Sequence, residues 1–126
     1  MEHIFIFNGG TATGKTKLCS MIPSTYITTQ IGLIRATDDS LIVDDFWFYD
    51  NSKQDYDREK IRDTLSAIES GEQVKYEQLI IFRNKCIIVC HDSREHINYL
   101  IEYIKHYYEV QNKKIPYISY VEFSKV

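Results

Sequence analysis

A chain of 126 residues with 44% hydrophobic and 26% charged residues can bury about two-thirds of its unfolded surface, which excludes a disordered segment and predicts one domain over residues 1–126. A formal net charge of −3 excludes coating nucleic acid by bulk electrostatics, and no apolar run reaches the length of a membrane span. Three cysteines without framework spacing exclude a disulfide scaffold. Met1-Glu2-His3 leading into a short apolar stretch is not a secretion signal, so an intracellular protein without a membrane partner is expected, in the cytoplasm or in the nucleus of a host cell.

The first predicted element is Ile4–Phe7, continuously apolar instead of alternating, as in a parallel strand buried on both faces. It runs into Gly9-Gly10-Thr11-Ala12-Thr13-Gly14-Lys15-Thr16, the G-x-x-x-x-G-K-[ST] spacing of a phosphate loop. Between strand and helix, such a turn aims backbone N–H groups at phosphate oxygens, and the helix N-terminus adds about half a positive charge. Lys15 is expected to reach the β- and γ-phosphates of ATP, and Thr16 to ligate Mg²⁺. A helix should begin at Lys15, carry Leu18, Met21 and Ile22 on one face and stop before Pro23. Tyr26–Thr29 reads as a short second strand.

The next apolar run, Leu41-Ile42-Val43, ends in Asp44-Asp45. Beside a phosphate loop, Asp44 would hold Mg²⁺ through water and Asp45 would orient or deprotonate the attacking water; standing alone, the pair would be an acidic turn after a buried strand. The polar, acidic run Asp50–Asp57 is expected to be a mobile loop. A helix over Asp57–Ser70 places Ile61, Leu65 and Ile68 on one face, with Gly71 just past its end. Gln73–Phe82 reads as a hairpin. Residues 38–77 hold 5 basic and 12 acidic side chains, a net −7, against +2 on either side, so an anionic polymer would have to be met by a local loop.

Cys86–Cys90 is a third buried strand, ending at His91-Asp92. In an ATPase of this layout a polar side chain here contacts the γ-phosphate and the water between the other two motifs, which makes His91 and Asp92 both candidates. Cys86, Cys90 and His91 do not suit zinc, because an extended chain spreads the thiolates too far and no fourth ligand is evident; the cysteines read as small buried hydrophobes. Ser93 should cap a helix bearing Ile97, Leu100, Ile101, Ile104 and Tyr108, with Tyr99, Tyr103 and Tyr107 beside that stripe as a half-buried packing edge or a subunit contact. Ile115–Phe123 should close the sheet. Strands alternating with helices predict an α/β fold with a mainly parallel sheet and its ligand at the carboxyl ends.

Read together, Gly9–Thr16, "IVDDF" and "IIVCHD" resemble the superfamily 3 helicase core in replication initiators of small DNA viruses, over about Phe5 to Arg94. "IPSTYIT" and "IVDDF" are similar to the corresponding stretches of circovirus-type initiators. The resemblance implies a three-layer, AAA+-like P-loop NTPase that hydrolyses ATP with Mg²⁺ and acts on single-stranded DNA, as a homo-oligomeric ring or with a partner protein. It also implies that Lys75, on the predicted hairpin, contacts DNA, and that Arg94 serves as an arginine finger for a neighbouring subunit. Two departures stand out: the family's sensor residue is usually an asparagine, and the glycines that flank its channel lysine are missing here. Two other functions fit the same loop. One is a nucleotide-binding switch or regulatory subunit with weak hydrolysis, which the altered sensor favours. The other is a small-molecule or nucleotide kinase, disfavoured because the acidic 38–77 segment offers only Arg58 and Arg62 for a lid over the phosphates.

Overall fold

Alternate residues of the central strands enter two different apolar layers, which is why those strands read as unbroken apolar runs. The computed structural model describes residues 1–10, 25–28, 40–71, 73–76, 79–82 and 84–123. Strands β1 (His3–Gly9), β2 (Thr25–Thr28), β3 (Ser40–Phe46), β8 (Lys85–Cys90) and β9 (Tyr117–Phe123) form one sheet in the order β2-β3-β8-β1-β9. Every neighbouring pair in it is parallel. Two antiparallel pairs stand apart from it, β4 (Tyr49–Asp50) with β5 (Asp55–Tyr56) and β6 (Gln73–Tyr76) with β7 (Leu79–Phe82).

Both described helices cover the same face of the sheet. Helix α1 (Arg58–Gly71) buries Ile61, Leu65 and Ile68, and α2 (Arg94–Val110) buries Ile97, Leu100, Ile104 and Tyr108, against Ile4, Ile6, Leu41, Val43, Cys86 and Ile88. Each isoleucine fully buried there contributes about 2 kcal/mol relative to exposure. The opposite face presents Phe7, Ile87 and Val89 with Phe5 and Phe123 against them. The helix expected from Lys15, and with it a third layer, lies outside the described residues.

The structure departs from the sequence expectations at several places. β3 continues through the acidic pair to Phe46, so Asp44-Asp45 is part of the strand and not a turn after it. The Asp50–Asp57 run, expected as a mobile loop, forms the β4–β5 hairpin. Its turn is tied down by Asp50 Oδ1, which accepts from Ser52 N at 2.9 Å and Ser52 Oγ at 2.6 Å. Asp57 stands before α1, its Oδ1 accepting from Lys60 N at 3.0 Å, while Gly71 is the last helical residue. Ser93 caps α2 as expected, accepting from His96 N at 3.3 Å.

The tyrosine row on α2 is a packing edge. Tyr99 stacks on Tyr56 with centroids 3.6 Å apart and planes 6° from parallel, the Tyr103 hydroxyl donates to Arg58 O at 3.3 Å, and all three tyrosines of the row pack against the core. These contacts fasten the hairpin and the start of α1 to α2. Among the described residues no helix is long and apolar enough to cross a membrane.

Candidate functional site

Because β8 lies between β1 and β3, the carboxyl ends that carry Gly9-Gly10, His91-Asp92 and Asp44-Asp45 stand side by side. The chain leaves β1 for β2, beyond β3, and leaves β8 for β9, on the far side of β1. Adjacent strands that send the chain in opposite directions open a crevice outside their carboxyl ends, the place where α/β sheets hold ligands. Thr11, Ala12, Thr13, Gly14, Lys15 and Thr16 lie outside the described residues.

Gly9 has a packing reason to be glycine besides the phosphate-loop pattern. It pairs with Phe123 across the β1–β9 ladder, and a Cβ built on it would stand 2.4 Å from Phe123 O. Backbone must move to make room. Gly9→Ala is therefore expected to destabilise the fold by about 1–3 kcal/mol, read as a lowered urea midpoint. Gly10 has open space where a Cβ would go, so the same change there should cost far less.

At the acidic pair the β3–β8 register shifts: Val43 pairs with Ile88 but Phe46 pairs with Cys90, leaving one extra residue on β3. A bulge breaks strict alternation and re-aims side chains, and bulges recur beside active sites. Of the two candidate magnesium ligands, Asp44 is at this bulge and Thr16 is outside the described residues. Carboxylate and hydroxyl oxygens are a donor set that suits Mg²⁺.

A buried amide ties β1 to the turn after β8. Asn8, only 3% exposed, lies one residue before Gly9; its Nδ2 donates to Asp92 O at 2.9 Å and to the Tyr120 hydroxyl at 3.2 Å, and its Oδ1 accepts from Asp92 N at 3.0 Å. The Asp92 carboxylate turns onto α2, where Oδ1 accepts from Ser93 N at 2.8 Å and from His96 Nδ1 at 2.5 Å. His96 in turn stacks on Tyr49 at 3.9 Å and meets the Tyr56 ring edge-on at 5.3 Å. Burial pushes the Tyr56 phenol above its ordinary pKa, with Glu95 adding to the shift. His91 is exposed and meets the ring of Trp47, itself 48% exposed, at 6.0 Å and nearly perpendicular.

No protein family, curated protein or solved structure matches this chain.

The remaining candidates are spread more widely. Arg94 lays its guanidinium over the Tyr120 ring of its own chain, 3.8 Å from the centroid. Lys75 sits on β6, paired with Ile80 of β7 in the expected hairpin. Cys86 and Cys90 are core residues, and burial pushes the Cys86 thiol well above the range in which a thiolate forms. A pocket of about 380 Å³ lined by Glu2, His3, Lys85 and Lys114 opens at the amino ends of the strands, the opposite edge from every motif.

Sequence reasoning missed Asn8, His96, Tyr49 and Tyr56. Asn8 carried a signal, since a lone polar residue closing an apolar strand directly before a glycine turn has to find partners once buried. The other three meet only through the hairpin, whose fold the polar run concealed.

Proposed function

We propose that the chain is a Mg²⁺-dependent, ATP-hydrolysing P-loop ATPase, a helicase-type core acting on single-stranded nucleic acid. The observation that supports it best is the strand order, in which the strand leading into the phosphate-loop motif and the strand carrying the acidic pair flank the one that leads into His91-Asp92. In this reading backbone N–H groups of Gly9–Thr16 and the Lys15 ammonium hold the phosphates, and Asp45 orients and deprotonates the water that attacks the γ-phosphate. Mg²⁺, when bound through Thr16 and Asp44, neutralises charge on the phosphate oxygens. The kinase alternative would want free lid arginines. Arg58 instead pairs with Asp55 at 3.0 Å, holding that carboxyl below its ordinary pKa, and Arg62 lies 3.6 Å from Asp63.

A second reading, a nucleotide-binding switch with weak hydrolysis, is favoured by Asp92. Where the helicases it resembles usually have a sensor asparagine, this chain offers His91 or Asp92, and the Asp92 carboxylate is tied to His96. Phosphate release from ATP and Mg²⁺, with and without single-stranded DNA, separates the two. A motor turns over faster with DNA, and Lys75→Ala should remove that stimulation, severalfold or more, while leaving basal release alone. Tight nucleotide binding with no release under either condition would leave the switch; release only with an added acceptor would make it a kinase.

A further inference from the structure

The amino ends of the strands carry a hollow that the nucleotide reading leaves without a role. In-register residues of parallel neighbours share a face, and His3 pairs with Lys85 on one side and with Tyr117 on the other. Lys85, His3 and Tyr117 therefore form a row across β8, β1 and β9, each strand about 4.8 Å from the next, on the face turned away from α1 and α2. Backbone bonds hold the row in place: Glu2 N and His3 N donate to Asn84 O at 2.8 and 3.1 Å, and Tyr117 N donates to Glu2 O at 2.9 Å. The His3 ring stacks on Phe5 at 3.9 Å, with its Nε2 2.7 Å from Ser119 Oγ. Around this row the pocket of about 380 Å³ has the size of a small-molecule site.

The walls select the occupant. Lys113 is taken by Glu69 at 2.9 Å and Lys105 by Glu102 at 3.6 Å, but among the described residues neither Lys85 nor Lys114 meets a carboxylate. Both line the hollow, and its one acid, Glu2, has Oε2 on Asn84 Nδ2 at 3.3 Å. Two cations against one carboxylate suit a monoanion. The carbonyl end of α2, which stops at Val110 shortly before Lys114, adds negative potential that disfavours a polyphosphate. The remaining wall is apolar or flat, with Ile115, buried Pro116 and the Tyr117 ring, whose plane is tilted 49° to that of His3 at 6.2 Å. Tyr117 is 71% exposed, the most of any large apolar side chain among the described residues, and an aromatic ring laid on it would cover that surface.

We propose that this pocket is a second ligand site, for a small aromatic carboxylate, with Lys85 and Lys114 holding the carboxylate and Tyr117 and Pro116 the ring. The test is amide chemical-shift titration of the labelled protein with 2-naphthoate, with its neutral isostere 2-naphthamide, with acetate and with Mg²⁺-ADP. The naphthoate titration is repeated in Lys85→Gln, Lys114→Gln, Tyr117→Ser and Lys15→Ala. 2-Naphthoate should move the amides of Glu2, His3, Lys85, Lys114 and Tyr117 to saturation. 2-Naphthamide should bind about tenfold more weakly, the scale of one charge-assisted hydrogen bond. Acetate, which lacks the ring, should not saturate over the same range, and Mg²⁺-ADP should leave these amides in place. Each lysine variant should weaken naphthoate binding by about fivefold, Tyr117→Ser should do the same, and Lys15→Ala should bind it as wild type does, which keeps the two sites apart.

2-Naphthamide that binds as tightly as 2-naphthoate, or lysine variants that bind naphthoate as wild type does, overturn the proposal. So do shifts centred outside the pocket, no saturation up to about 10 mM, or Mg²⁺-ADP that moves the same amides at comparable concentration.

Discussion

Lys15→Ala is expected to lower phosphate release from Mg²⁺-ATP by about three orders of magnitude and to weaken nucleotide binding in parallel. The lysine is the one cationic side chain of the motif Gly9–Thr16, and charge on the phosphoryl oxygens is what phosphoryl transfer must stabilise. Deleting a single preorganised donor at a developing charge costs about 10²–10³ in rate, and a full positive charge in a site closed to water is worth more. Binding falls too, because the same ammonium contacts the phosphates in the ground state. Phosphate release and calorimetric affinity read the two losses, with a melting curve to show that the variant is folded. A Lys15→Ala protein that turned over like wild type would remove the ATPase assignment.

Asp45→Asn should separate what Lys15→Ala joins. The substitution is nearly isosteric and removes a proton acceptor, so ATP affinity should stay within about threefold while hydrolysis falls by about 10²–10⁴, the range for loss of a general base. Asp44→Asn should act differently, raising the Mg²⁺ concentration needed for half-maximal turnover, since Asp44 is the carboxylate assigned to the metal. The bulge bears on the division of roles, because it puts one extra residue of β3 between Val43 and Phe46, where the pair lies, and the backbone there is out of regular register with β8. If Asp44→Asn abolished turnover at saturating Mg²⁺ while Asp45→Asn remained active, the two roles would have to be exchanged.

The parts of this molecule legible in the sequence are those that depend on short-range pattern. The apolar runs Ile4–Phe7 and Cys86–Cys90 marked central strands because each is buried on both faces, and Leu41–Val43 marked the strand whose Leu41 and Val43 enter the helix-covered core. The helices over Arg58–Gly71 and Arg94–Val110 showed themselves by helical spacing and by Ser93 as a cap. That the motifs share the carboxyl edge of the sheet followed from the α/β alternation. What stayed hidden depends on contacts distant in sequence: Asn8 reaches Asp92 across 84 residues, and the Tyr56–Tyr99 stack joins the hairpin to α2. The register shift at Asp44-Asp45 was equally illegible, since a bulge is defined only against the partner strand. The Asp50–Asp57 run misled because its acids, counted as solvating charge, are in part structural: Asp50 closes the turn and Asp55 pairs with Arg58.

The measurement closest to the central claim, that the carboxyl edge of β1, β8 and β3 is the nucleotide site, is amide chemical-shift mapping of the labelled protein titrated with Mg²⁺ and a non-hydrolysable ATP analogue. The amides of Gly9, Gly10, Asp44, Asp45, His91 and Asp92 should move together, with a single dissociation constant. Those of Glu2, Lys85 and Lys114, at the pocket on the opposite edge, should stay in place. Shifts confined to that amino-edge pocket, or no shifts at millimolar nucleotide, would contradict the account.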